Sequence, residues 1–396
     1  MRSRYDRPTY LCAPVRTPIG KFGGALLDRT AADLGAHAAK ACLERAALDP
    51  AHVDLTIMGC ARQAGVGPNV ARQISHGAGV PDSIPAWTIN QACASSLVGI
   101  LQAWQAIALG DADVVLAGGT ESMSNTPYLL PRARWGYRLG HGELVDGMYR
   151  DGFLCPLCGE LMGATAETLA ERYGIPRSEQ DAYAVESQRR YEAAGQSGRW
   201  KDEVVPFPDG LEADEHPRPG TTVDKLAKLP PVFRERGTVH AGNTSGITDG
   251  AAALIVAAED AVERHGFEPF ARLVDWANVG VDPAIMGIGP VPAVRKVLQR
   301  QGISIDAIDV IELNEAFAAQ VLAVARDLEL DLAKVNPNGG AIALGHPIGA
   351  TGARITVTLL HELSRSRARL GIATLCVSGG MGTALLVERT AEGGSS

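Results

Sequence analysis

DSIPAWTINQACASSLVGILQAWQAIALGDADVVLAGGTESMS, residues 82–124, carries the pattern that decides the fold. An extended apolar run (Ile84, Trp87, Ile89) ends at Asn90, and from Cys93 onward Leu97, Ile100, Leu101, Trp104, Ile107 and Ala108 recur at helical spacing. Gly110 and Asp111 close that helix, and residues 114–117 resume as a strand that ends at the pair Gly118, Gly119. A cysteine therefore sits where a strand turns into a helix. The unpaired N–H groups and dipole at a helix N-terminus favour negative charge, so a thiolate there is stabilised and its pKa is expected to fall. Small neighbours (Ala92, Ala94, Ser95, Ser96) leave room for a reacting group. The competing reading of Cys93 is a buried small hydrophobe, which most free cysteines are.

The rest of the chain bounds what that cysteine can serve. With 396 residues, 46% hydrophobic and 21% charged, there is apolar material for more than one core, and length favours two or three domains. Seven cysteines, odd in number and scattered, do not form a disulfide framework and point to a reducing compartment. The N-terminus lacks the apolar core of a signal peptide, and no run of about 18 uncharged apolar residues stands out, which reads as a soluble cytoplasmic protein without a membrane partner. A net charge of −8 argues against nucleic acid as a partner, so basic groups for any anionic ligand must be local. A Walker A loop, a GxGxxG opening a helix, a GxSxG elbow and an HExxH are all absent, and no metal site is expected.

Taken in order, a short strand at 8–13 leads through RTPIGKFGG to a helix, TAADLGAHAAKACLERAAL, with Thr30 and Asp33 placed as a capping pair. VDLTIMGC is the next strand, and a second helix from about Val70 returns to the Cys93 unit. From Ser122 to Gly242 the chain is rich in Pro, Gly and charge and reads as an insertion over the core. Within it Cys155 and Cys158 form a lone CxxC, a metal or redox half-site without a visible second half. Alternation resumes with GAAALIVAAEDAVERHG, a strand near 271–274, a strand at 310–313 meeting a helix at Asn314 and Glu315, a glycine-rich loop carrying His346 before an amphipathic helix, and GIATLCVSGGMGTALLVER as two strands around a turn. Such alternation means an α/β fold with helices on the faces of the sheet. Both halves place a reactive side chain in a loop before a helix, followed by a strand that ends in Gly-Gly, which hints at internal duplication.

Singly, these residues have ordinary explanations: His346 as a turn histidine, Asn314 as a helix cap, Cys376 as a packed thiol. Together each lies where a strand or glycine-rich loop ends, the usual place for catalytic groups in an open α/β sheet. A cysteine with a histidine is the minimum for an activated thiol nucleophile. Glycine pairs at 118–119, 339–340 and 379–380 offer backbone donors to a developing oxyanion. The combination points to acyl transfer through a covalent thioester.

At this point the blocks NQACASS, GGTESMS, HAGNTSGITDGAAA, ELNEAFA, NPNGGAIALGHPIGATGAR and CVSGGMG, with RTPIGKFGG near the start, resemble in order and spacing the signature blocks of the thiolases. The resemblance spans nearly the whole chain. It implies a thiolase fold of two similar βαβ-type halves in α-β-α-β-α layers, with an N-terminal half at 1–120 and 243–270, an inserted loop domain at 121–242 and a C-terminal half at 271–396. It also implies Cys93 as the acyl-carrying nucleophile and His346 as the group that takes its proton and, with a water held by Asn314, stabilises the substrate's thioester oxygen. Cys376 would be the second acid/base, and the N–H groups of Cys93 and Ser378 the oxyanion hole of the acyl-enzyme. Coenzyme A would enter as substrate or product rather than as a resident cofactor, its pantetheine lined by Met162, Phe233, Ser245 and Met286 and its nucleotide end near Arg218 and Lys225; these last two are equally read as solvated surface. A homodimer or homotetramer follows from the same likeness.

Two departures stand out. Ser378 replaces a glycine usual in the family, and Leu161 stands where short-chain biosynthetic members often carry histidine. Alternatives to a thiolase are a ketoacyl synthase, which uses one cysteine and two histidines, and a thiolase-like carrier without turnover. Cys376 speaks against the first, and the joint presence of Cys93, Asn314, His346 and Cys376 against the second.

Overall fold

Apolar residues alternating with short polar breaks give strands and helices in turn along most of the chain. A computed structural model describes residues 1 and 3–390. Strands β1 (Thr9–Arg16), β2 (Gly20–Lys21), β3 (Leu55–Gly59), β4 (Ala86–Ile89) and β5 (Val114–Ser122) alternate with helices α1 (Ala31–Arg45), α2 (Val70–Gly77) and α3 (Ser95–Leu109). A small ribbon, β6 (Tyr128–Leu129) and β7 (Val145–Asp146), follows with helices α4 (Met162–Tyr173), α5 (Arg177–Gln196) and α6 (Val223–Leu226). Alternation then resumes through β8 (Thr248–Ala258), α7 (Glu259–His265), β9 (Pro269–Gly280), α8 (Pro290–Gln301), β10 (Val310–Leu313), α9 (Ala318–Leu328), α10 (Ala341–Leu344), α11 (Thr351–Ser366), β11 (Leu370–Val377) and β12 (Met381–Arg389).

Local chemistry sets these boundaries. The Thr30 hydroxyl accepts from the Asp33 N–H at 3.1 Å while the Asp33 carboxylate accepts from the Thr30 N–H at 3.0 Å, the reciprocal box expected at the start of α1. Gly110, with φ 81°, ends α3 in the left-handed conformation that glycine adopts without a Cβ penalty.

The ten-stranded sheet runs β10-β11-β12-β9-β1-β8-β5-β3-β4, with β2 on β8. Its two arms repeat one pattern: β10 and β11 pair in parallel, then β12 and β9 follow antiparallel. In the other arm β3 and β5 pair in parallel, then β8 and β1 follow antiparallel. The arms join where β1 meets β9. The internal duplication hinted at by the sequence is thus present in the topology.

Helices α3 and α11 lie between the arms. Every residue of α11 from Thr351 to Leu363 is buried, as a helix covered all round requires. Residues Ala92–Leu109 are long and apolar enough by composition to cross a membrane, with mean hydropathy 1.5, contrary to the expectation that no such run exists. That apolar excess is used in the layer between the sheet arms, where Leu97, Ile100, Leu101, Trp104 and Ile107 are buried. The first turns of the two helices cross closely: the Ala353 N–H donates to Ser96 Oγ at 2.8 Å, and a Cβ on Gly352 would stand 2.4 Å from the Leu97 nitrogen.

Two expectations need correction. Gly118 and Gly119 do not end their strand; β5 continues to Ser122, and a Cβ on Gly118 would lie 2.2 Å from the Ala252 carbonyl oxygen. A Cβ on Gly119 would lie 2.4 Å from the Gly349 oxygen, and one on Gly340 2.3 Å from Glu315 Cδ. Gly118 and Gly119 let backbones approach, Gly340 leaves room for the Glu315 carboxylate, and neither pair lines the cavity described below, which only the pair 379–380 adjoins. Asn314 and Glu315 precede α9, whose N-cap is Phe317, so Asn314 caps no helix.

Because Gly119 sets the contact between β5 and the loop after His346, Gly119→Ala is expected to lower stability by about 3 kcal/mol, the upper range for overpacking a core. An unchanged urea midpoint would show that the 346–350 loop yields freely.

Candidate active site

The turn before α3 is held by side chains. The Asn90 side-chain Oδ1 accepts from the Ala92 N–H at 3.0 Å, and the Ser95 hydroxyl accepts from the Gln91 N–H at 3.0 Å while donating to the Ala92 backbone carbonyl at 2.6 Å. These bonds maintain Ala92 at φ 45°, a left-handed angle that costs a non-glycine residue on the order of 1 kcal/mol. The Cys93 sulfur faces a cavity, with the N–H groups of Ser378 and of Cys93 itself against it. Burial pushes the thiol's pKa up, and the Ser378 N–H and the nearby Arg62 charge offset this only in part. The expectation of a depressed pKa is therefore reversed: desolvation outweighs the helix N-terminus, so ionisation of Cys93 requires a base.

A candidate for that base lies in the second loop, on the same cavity wall. His346 Nδ1 lies 2.6 Å from Thr351 Oγ1, whose own hydroxyl donates to the Pro347 carbonyl at 2.9 Å. With the hydroxyl proton committed, Thr351 accepts from Nδ1–H, and this network assigns a bare Nε2. Burial, then the positive charges of Arg354 and Arg62, hold the imidazole's pKa down to about 3, so it is neutral. Nε2 faces the Asn314 side-chain nitrogen at 3.5 Å, too long for a strong bond, and the buried Asn314 Oδ1 has no protein partner.

Cys376 stands near the end of β11, buried, and burial followed by the charge of Cys93 raises its pKa well above the ordinary thiol value. Ser378 follows it without a left-handed angle, so the replacement of glycine there introduces no backbone strain, whereas Gly379 and Gly380 at φ 86° and 84° turn the chain.

The cavity, of about 560 Å³, is lined by Cys93, His346, Cys376 and Ser378, and also by Met162, Phe233, Ser245, Met286, Arg218 and Leu161. Asn314 stands behind His346. Lys225 is not brought to the cavity; its ammonium donates to the Gly220 carbonyl at 2.7 Å within its own exposed turn.

Sequence reasoning missed the buried carboxylates that hold these loops. Glu121 accepts from the N–H groups of Ala61 (3.1 Å), Arg62 (2.9 Å) and Gly349 (2.8 Å), joining the end of β5 to the loop after β3 and the loop after His346. Glu315 accepts from Tyr183 at 2.8 Å, Ser187 at 2.7 Å and the Ile342 N–H at 3.1 Å, tying α5 to the segment that leads into His346. Both lie inside quoted blocks, GGTESMS and ELNEAFA, but nothing in the spacing distinguishes an anchor from a catalytic acid.

The profile of the thiolase N-terminal domain matches residues 9–260 and that of the C-terminal domain residues 267–389. The chain belongs to the thiolase family. It is 49% identical to an acetyl-CoA acetyltransferase of Syntrophomonas wolfei over 393 residues, covering 96% of this chain and 99% of that protein. It is likewise 49% identical to the acetyl-CoA acetyltransferase of Escherichia coli over 387 residues, covering 96% and 98%. Human mitochondrial 3-ketoacyl-CoA thiolase in complex with CoA superposes with a TM-score of 0.96 at 44% identity, covering 99% of this chain and 100% of that one. The Bacillus anthracis acetyl-CoA acetyltransferase gives 0.95 at 44% identity, covering 98% and 100%. The thiolase fold of mixed α/β layers and an acyltransferase activity of thiolase type follow.

His346 is neutral in this thiolase fold but protonates near pH 6.5 once exposed. Its burial therefore contributes stability that is present above pH 6.5 and lost as pH falls toward 3. Urea denaturation from about pH 7 to about pH 4 is expected to show a loss approaching 1.4 kcal/mol per pH unit from this group, absent in His346→Asn. Parallel pH profiles for the two proteins would exclude it.

Proposed function

We propose that this thiolase is an acetyl-CoA C-acetyltransferase, interconverting acyl-CoA plus acetyl-CoA with 3-ketoacyl-CoA plus CoA by a ping-pong route through S-acyl-Cys93. The observation that carries the reading is the convergence of two thiols and a neutral imidazole with a bare Nε2 on one cavity. His346 Nε2 takes the Cys93 proton, and the sulfur attacks the thioester carbon. The oxygen of the incoming thioester is stabilised by the resulting Nε2–H and by a water on Asn314, whose unpartnered Oδ1 is available to hold it. The N–H groups of Cys93 and Ser378 receive the acyl-enzyme oxygen. The expelled CoA thiolate takes the Cys376 proton, and the Cys376 thiolate so formed removes a proton from the α-carbon of acetyl-CoA in condensation, while the thiol returns one in cleavage. When the enolate attacks the acyl-enzyme, Cys93 leaves and recovers its proton from His346 Nε2–H, and the high pKa of Cys376 suits a carbon acid better than a carboxylate would.

Pantetheine runs along Met162, Phe233, Ser245 and Met286, with Arg218 toward the phosphates and Lys225 farther out on α6. The inserted domain at 121–242 supplies much of this groove, between halves at 1–120 with 243–270 and at 271–396. A second reading, a longer-chain 3-ketoacyl-CoA thiolase, is favoured by Leu161 on the cavity wall in place of a polar side chain.

Self-association is part of the proposal. The sheet ends at β4 with an unpaired outer edge and Trp87 40% exposed, and the segment around β6 and β7 exposes Trp135 (86%) and Leu139 (97%), surfaces that a second copy would cover. All seven cysteines are free, which suits the reducing cytoplasm.

Mixed with acetyl-CoA, Cys93→Ala is expected to show no acyl adduct by intact mass, whereas Cys376→Ala still acylates but loses exchange of acetyl α-protons with deuterated water. Equal acylation of the Cys93 variant and the wild type would defeat the assignment. Thiolysis rates across ketoacyl-CoAs of rising length separate the two substrate readings.

A further inference from the structure

The CxxC pair belongs to none of the steps above, yet it lies against the site. Leu154 bridges Leu161, the Cys155 N–H donates to the Glu160 carbonyl at 2.8 Å, and the Gly159 N–H donates to the Cys155 carbonyl at 2.8 Å, so residues 154–161 form a tight hairpin. Pro156 presets φ at its second position. Cys155 is 1% exposed and shares an apolar cluster with Met162, Met286, Phe317 and Cys376, while Cys158 is partly exposed.

The two thiols contact each other, and the N–H groups of Cys158, Leu157 and Gly379 lie against the Cys155 sulfur. Gly379 directly follows Ser378, whose N–H lies against the Cys93 sulfur. One turn thus presents neighbouring N–H groups to two sulfurs, the nucleophile on one side and Cys155 on the other. Leu157 supports the same contact, its Cδ1 3.8 Å from the position of a Cβ on Gly379. No group of three or more His, Cys, Asp or Glu side chains among the described residues is placed to hold a metal.

We propose that Cys155 and Cys158 form a reversible dithiol–disulfide switch that controls the 378–380 turn and, through it, acylation of Cys93. This rests on the reading of Cys93 as the acylated residue. Positions i and i+3 of a turn have Cα atoms under about 7 Å apart, within reach of the roughly 4.4–6.8 Å that a disulfide spans. The oxidant is a low-molecular-weight disulfide. Cys158, the accessible thiol, loses its proton and attacks one sulfur of that disulfide, expelling a thiolate; the Cys155 thiolate then attacks the Cys158 sulfur of the mixed disulfide and expels the second. Two protein thiols are oxidised by two electrons, the external disulfide is reduced to two thiols, and the two released protons go to them. Burial opposes ionisation of Cys155, but the N–H groups of Cys158 and Leu157 more than offset it and hold its pKa below the ordinary value, whereas burial and the neighbouring Cys155 hold that of Cys158 above it, so that exposure and not acidity selects Cys158 for the first attack. Once oxidised, the Cys155 sulfur is drawn onto Cys158, the hairpin that carries Leu157 against Gly379 tightens, and the Gly379 N–H beside that sulfur shifts together with the adjacent Ser378 donor. Cys155 and Cys158 are positioning residues in this scheme.

The full-length wild type, Cys158→Ser and Cys158→Ala are equilibrated in graded mixtures of oxidised and reduced glutathione. Peptide mass spectrometry maps the disulfides, and intact mass follows the rate of Cys93 acylation by acetyl-CoA. The expected result is a Cys155–Cys158 disulfide in the wild type, acylation slowed about fivefold or more with the same midpoint, as displacement of one backbone donor from the Cys93 site predicts, and recovery in dithiothreitol. Either Cys158 variant keeps its reduced rate within about twofold through that midpoint. Absence of the disulfide, its formation without slower acylation, or loss in the variants at the same midpoint would overturn the switch. Reduced wild type that never acylates at Cys93 would instead overturn the functional reading, and the coupling with it, whatever disulfide the peptides show.

Discussion

The contact between the first turns of α3 and α11 is the constraint on which the site depends. Gly352 meets the backbone of Leu97 so closely that any side chain there would push the helices apart, and Ala353 donates to Ser96 across the same crossing. Each helix begins just after a loop with a reactive side chain, Cys93 before one and His346 before the other. Moving the crossing by one side-chain width would move both loops. The apolar composition of α3 and the burial of α11 on every side follow from this placement, because the pair must pack both sheet arms at once.

Burial has a second consequence for the chemistry. It raises the pKa of both active-site thiols and depresses that of His346, so the resting site is uncharged: thiol, imidazole, thiol. On the proposed route, proton movement within the cavity creates charge only during reaction, and the backbone donors and the Asn314 amide stand where they would meet it. Glu121 and Glu315 contribute at one remove, since a carboxylate that accepts several hydrogen bonds fixes segments from distant parts of the chain against one another.

The turn at 378–380 links the two ends of this argument. Serine at 378 is accommodated because its own backbone angle is ordinary and the left-handed angles fall on Gly379 and Gly380. Its N–H lies against the Cys93 sulfur, and the next residue's N–H lies against Cys155 in the CxxC hairpin, so the segment that carries the hairpin reaches the turn beside Cys93 as well as the cavity wall.

Much was legible in residue order alone. Periodicity located the strands, α1 with its Thr30–Asp33 box, α3 and the β11–β12 hairpin, and the signature blocks named the family and offered Cys93, Asn314, His346 and Cys376 as candidates, because these patterns depend on neighbours a few residues apart; three of the four line one cavity. What required the tertiary structure was everything set by burial and by long-range approach. The thiol of Cys93 rises where a helix N-terminus alone would lower it, Gly118 and Gly119 serve backbone packing where they resembled donors, and Lys225 stays in its own turn away from the cavity. In each case the deciding partner, be it the Ala252 carbonyl, Gly220 or the desolvating walls of the cavity, is placed by the fold. Sequence spacing carries no measure of solvent access or of how near two distant backbones come.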